Sequence, residues 1–243
     1  MRRAAVSALA LLAACLLLFP ACRAREQAPE DAAVEIETSA PATETALPPT
    51  PVPTEAPPPI NPAASLFTDF FDVFSMVSDG LFKAVDGMDR ARDAYYSLMR
   101  DEELLSRLYP TVGALEYDGA GGFKGSIEGI YAGSGALDAD GSFSYTFSSG
   151  AGLEGSLSEE GRVSASFTNG DELVSLKLVP LVNGFLFTVS DGMETRVCEL
   201  RGGSLKYGFV DSQHLFALSD SAFPDVDGIK TLSYLNGTAS FSE

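Results

Sequence analysis

The sequence predicts an α+β domain: one long N-terminal helix laid on an antiparallel β-meander of about nine strands. Three observations predict it. Apolar residues recur at alternating steps of three and four from Phe67 to Leu98, the spacing of a single helix face. From Phe123 onward the apolar period becomes two, the period of a strand with one buried face. Glycine-bearing pairs that suit tight turns punctuate this second region every eight to fourteen residues, too closely for crossover helices.

The chain has 243 residues. Arg2 and Arg3 precede an apolar run over residues 4–19, a charged n-region followed by an h-region. With small residues leading to a cysteine, residues 1–22 resemble a bacterial lipoprotein signal. The resemblance covers only this segment and implies lipidation of a cysteine that becomes the new N-terminus. Cys22 is the expected site. It follows an h-region of proper length, and polar residues come directly after it. Cys15 is the alternative: Leu12-Ala13-Ala14-Cys15 matches the lipobox better but would keep the apolar residues 16–19 after cleavage. Ordinary cleavage near Ala24 and an uncleaved anchor complete the set.

Residues 23–60 read as a disordered tether. They hold nine of the fourteen prolines and no aromatic residue, so they bury too little apolar surface to offset the entropy of ordering. Residues 61–243 read as one globular domain, helical over 61–109 and mainly antiparallel β over 114–243.

The helix is expected over 62–98, with Asn61 as N-cap and Pro62 at the first helical position. Its stripe runs Phe67, Phe70, Phe74, Val77, Leu81, Ala84, Met88, Ala91, Tyr95, Leu98, and Asp72, Asp79, Asp86 and Asp93 lie opposite. Gly80 and Gly87 would permit close contact with the sheet or mark a bend. Near Arg100-Asp101 the register changes, and Leu104, Leu105 and Leu108 suggest a second short helix ending before Pro110. A coiled-coil dimer is the rival reading of the heptads. Leu66, Phe71, Val73, Phe82 and Val85 widen the face beyond a simple seam, so a monomer is expected.

In the β region, Phe143, Tyr145 and Phe147 alternate with serine and threonine, as do Val163, Ala165 and Phe167. Turns are expected at Asp140-Gly141, Ser149-Gly150, Glu160-Gly161, Asn169-Gly170, Asn183-Gly184, Asp191-Gly192, Gly202-Gly203 and Asn236-Gly237. Residues 173–189 are the most apolar part of the meander and are placed at its centre, with Pro180 at a bulge or strand end. The Ser/Thr face would see water. If the strands curl, the helix instead plugs a partial barrel.

Composition excludes some function classes. Net charge is −18 and the pI about 4.3, which argues against nucleic acid as a partner. His214 is the sole histidine and Cys198 the sole cysteine of the domain, so neither a zinc site nor an internal disulfide is expected. Asp138 with Asp140, and Asp225 with Asp227, lack the further ligands of a calcium loop. The glycine-rich residues 119–125 match no nucleotide fingerprint. No cofactor, metal or catalytic residue is therefore assigned.

The expected function is that of a lipid-anchored protein on the outer face of a bacterial membrane, with a non-enzymatic binding or presentation domain. The alternative is a carrier of a lipid or small apolar ligand held between helix and sheet. A third reading, a hydrolase, would need Asp211, Asp220, Asp225 and Asp227 to converge.

Overall fold

The computed structural model describes residues 57–243. The expected signal segment, Cys15, Cys22 and residues 23–56 lie outside the described residues. Residues 57–60 are exposed and carry no regular structure.

Helix α1 spans Pro62–Ala84. Asn61 Oδ1 accepts from the Ala63 N–H at 3.0 Å, and Pro62 takes the first position, where no N–H is needed. Asn61 also ties the helix start to the segment leading into the sheet. Its Nδ2 donates to the carbonyls of Val112 at 2.9 Å and Leu115 at 3.1 Å.

The single helix expected over 62–98 is corrected. After α1, Gly87 takes a φ of 77°, and α2 runs Asp89–Ser106. A left-handed residue cannot continue a helix, and glycine adopts that conformation freely. Phe82 meets Tyr95 near the turn at 5.7 Å between ring centroids, and Phe71 meets Tyr109 at 6.4 Å. The two helices therefore run antiparallel. The separate short helix expected around Leu104 is also corrected: Leu104 and Leu105 belong to the last turn of α2. The buried stripe of α2 runs Ala91, Ala94, Leu98, Asp101, Leu105 without interruption. A charged residue at a stripe position is what made the register look broken.

The strands are β1 (Glu116–Tyr117), β2 (Phe123–Ile127), β3 (Gly133–Leu137), β4 (Ser142–Phe147), β5 (Gly152–Leu157) and β6 (Val163–Asn169). They continue as β7 (Glu172–Leu181), β8 (Gly184–Ser190), β9 (Thr195–Arg201), β10 (Ser204–Val210), β11 (Lys230–Leu235) and β12 (Thr238–Ser242). Among the described residues they form one sheet of twelve strands in sequence order, each antiparallel to the next, with β1 and β12 as its edges. The expected count of about nine is corrected to twelve. The shortfall comes from strands with weak alternation. In β3, a Cβ on Gly135 would stand 2.6 Å from the Tyr145 ring. Glycine leaves room for the neighbouring aromatic and so erases the period-two signal.

One face of the sheet carries both helices. Phe70 meets Phe185 at 5.5 Å and Phe187 at 5.9 Å, edge to face in both cases. Phe70, Phe74, Val77 and Leu81 share one core with Tyr145, Phe167, Leu176 and Phe187. Strands β7 and β8 lie near the middle of the order, as expected. Pro180 is the next-to-last residue of β7 and lies past Leu178, the last residue paired with β6 there. Its missing N–H therefore costs no bond to β6. Val182, within the segment read as most apolar, departs from its expected burial and is exposed in the turn after β7, and Leu173 at the segment's start is exposed as well. The turn before β8 is Val182-Asn183, with Asn183 at a φ of 61°, and Gly184 is already the first residue of the strand.

The second face departs from the expectation that it would simply see water. Val179, Leu186, Val197 and Val210 point away from the helices and form a small core of their own with Ile229. Residues 211–229, between β10 and β11, cross this face as a strap and supply Leu218, Phe223 and Val226 to it.

Candidate functional site

On the face away from the helices, alternation aims Glu154, Ser166, Ser175, Lys177 and Thr188 at solvent. Leu218, Ser219 and Asp220 of the strap wall them on one side, enclosing an open groove of about 560 Å³. That is within the roughly 300–1,000 Å³ of small-molecule sites.

The strap is pinned in place. Lys177 Nζ donates to both Asp220 carboxylate oxygens at 2.6 and 2.7 Å. The Phe223 N–H donates to Glu199 at 2.8 Å. Phe223 and Ile229 sit directly on Gly208, where a Cβ would lie 2.6 Å from the Phe223 ring. With Lys177 tied to Asp220, the groove offers hydroxyls and the Glu154 carboxylate.

The strongest polar cluster lies on the helix-facing side. Asp101 of α2 is 2 % exposed. Arg196 donates to it through Nε at 3.0 and 3.2 Å and Nη2 at 3.1 Å, and the Tyr207 hydroxyl donates at 2.7 Å. Arg196 Nη1 continues outward to Asp191 at 2.9 Å and Glu194 at 3.3 Å. Burial pushes the Asp101 carboxyl above its ordinary range, against the pull of Arg196 and Tyr207. Burial also raises Tyr207, and the Asp101 charge beside it adds to the effect. Every oxygen of Asp101 is occupied and water is excluded, so the cluster fastens α2 to β9 and β10 and has no open side for a substrate.

The residues weighed for chemistry fall as follows. His214 Nδ1 lies 2.7 Å from Asp211, within the strap. Cys198 is fully buried between Phe187 and Tyr207 of the flanking strands, and burial holds its thiol well above the range of a reactive thiolate. Asp140 accepts from the Ser142 N–H at 2.9 Å in the β3–β4 turn. Asp118 accepts from the N–H groups of Ala120 and Gly122, which accounts for the glycine-rich stretch as a turn. Of the four aspartates of the hydrolase reading, Asp211 holds His214 and Asp220 holds Lys177, while Asp225 and Asp227 line a separate groove that neither of the others reaches. Among the described residues no group of three or more His, Cys, Asp or Glu side chains is placed to hold a metal ion.

Sequence reasoning missed the strap groove and the Asp101 cluster. The first left no local signal. The second left one: Asp101 stands three residues after Leu98 and four before Leu105, inside an apolar stripe. Comparison of the chain with protein-family models, with curated proteins and with solved structures gives no match.

Proposed function

We propose that this chain is an extracytoplasmic, membrane-tethered protein whose globular domain binds or presents a partner at its surface without catalysing a reaction. Export and anchoring rest on the lipoprotein-like residues 1–22, with Cys22 as the lipidated residue, at the outer face of a bacterial membrane. The observation that favours surface binding is the contrast between the interior and the surface of the domain. The space between α1 and the central strands is filled by Phe67, Phe70, Leu81 and Phe187, each at most 1 % exposed, whereas an open groove lies at the surface beside the strap. A carrier of an enclosed apolar ligand would need empty space where those rings stand. A hydrolase would need converging carboxylates, and two of the four aspartates in question, Asp211 and Asp220, are engaged with separate partners.

Metabolic labelling with a fatty acid tests the anchor. The native chain should be labelled and sediment with membranes, and Cys22→Ser should lose both properties. Label retained in Cys22→Ser and lost in Cys15→Ser would move the site, and an unlabelled native chain would remove the reading.

A further inference from the structure

Helix α2 faces β10–β12 with small side chains over its first half. Ala91 and Ala94 are its buried residues there, and larger Leu98 comes only later. Alanine cannot cover two aromatic rings. Phe209 of β10 and Phe241 of β12 consequently remain half-buried at the rim of the helix-facing side. They floor a groove of about 410 Å³ whose helix wall is Ala94 and Ser97.

Charges of both signs ring this floor: Arg90 and Asp93 from α2, Glu194, Lys230 and Glu243 from the sheet side. Arg90 is paired with Glu243, and Glu194 with Arg196. Among the described residues, that leaves Lys230 and Asp93 as one cation and one anion without an ion-pair partner. Lys230 stands directly across from Phe209 in the β10–β11 register, so its charge rises from the edge of the aromatic floor.

An apolar floor with a few placed polar groups is the usual composition of a small-molecule site. We infer that the groove binds a small zwitterion with an apolar side chain: an α-amino acid such as leucine or phenylalanine, or a short apolar peptide with both ends free. The side chain lies on Phe209 and Phe241, the carboxylate meets Lys230, and the ammonium meets Asp93. A ligand with a single charge engages only one of the two rim charges and forgoes the second charge-assisted contact. A net charge of −18 further disfavours a purely anionic ligand such as a fatty acid. The inference stands apart from export and anchoring and needs neither.

Calorimetric titration of the full chain with leucine and with phenylalanine tests it, alongside N-acetyl-leucine, leucine amide, hexanoate and the dipeptide Leu-Leu. Saturable binding of the free amino acids is expected, at least tenfold weaker for each of the two capped forms and for hexanoate. Leu-Leu binding as tightly as leucine, or more so, identifies the peptide as the source of the same chemistry. Lys230→Ala and Asp93→Asn should each weaken leucine at least tenfold with thermal unfolding unchanged, because both side chains are exposed. Absence of binding by leucine, phenylalanine and the dipeptide overturns the inference. So does equal affinity for capped or singly charged compounds, or affinity unchanged in both charge variants.

Discussion

The phenol tip of Tyr234 on β11 occupies the space that a Cβ on Gly80 of α1 would fill, with the ring Cζ only 3.0 Å from that position. Gly80 is therefore the point where the Tyr234 side chain reaches the helix backbone, whereas Gly87, seven residues on, has open space around it and turns the chain. Two glycines with the same spacing to the stripe serve different ends.

Gly80→Ala should destabilise the domain by about 1–3 kcal/mol, the usual cost of overpacking a filled site, although alanine gains about 1 kcal/mol in helix propensity. In a Tyr234→Phe background the hydroxyl is gone, and the same substitution should cost much less. Urea unfolding of the four chains of this cycle measures the coupling. Equal costs in both backgrounds would mean that the two residues do not compete for space.

Phe74→Ala should cost about 3–5 kcal/mol through lost burial and the cavity left behind. Phe74 is 5 % exposed and stacks on Phe70 at 5.9 Å. Asp79→Ala, on the exposed side of α1, should change stability by no more than about 0.5 kcal/mol. Equal effects would show that α1 stands off the sheet, and a midpoint that depends on protein concentration would favour pairing of chains through α1.

Arg196→Ala should cost about 3–5 kcal/mol, because it leaves the Asp101 charge buried without its main partner. Replacing the set together, with Asp101→Leu, Arg196→Met and Tyr207→Phe, should recover most of that loss, since no polar group is then left orphaned. A triple variant as unstable as Arg196→Ala would show that the cluster does more than fasten α2.

Acid should unfold the domain through its surface aspartates and not through Asp101. Burial raises Asp191, but the N–H groups of Glu194 and Met193 and the Arg196 guanidinium outweigh it and hold the carboxyl below its ordinary value of 3.8. A depressed carboxyl stabilises the fold above that value, and the contribution is lost as pH falls through the lower folded value. Asp101 has the opposite sign. Its folded value is raised, so its contribution is fully present below the ordinary value and is lost as pH rises through the folded one. Asp191→Asn should therefore flatten the rise of stability with pH between about pH 2 and 5. Denaturant midpoints across that range check it, and an unchanged slope would overturn it.

Features that depend on near neighbours are legible in the residues alone. The Asn61-Pro62 start, the apolar stripe of α1, the glycine turns, the final hairpin at Asn236-Gly237 and the central place of β7 and β8 follow from periods and turn chemistry read over a few residues. Features that depend on a distant partner emerge only once the chain has folded. Asp101 belongs to a buried stripe only because Arg196, 95 residues later, is there to hold it. Gly135 belongs to a strand whose missing side chain is supplied by the Tyr145 ring. The strap over the polar face exists because Val179, Leu186, Val197 and Val210, from four strands, meet as one apolar patch. Both grooves lie where separate elements adjoin, one at the strap and one under α2. No local pattern encodes such a boundary, because its shape is set by how closely two surfaces approach after each has formed.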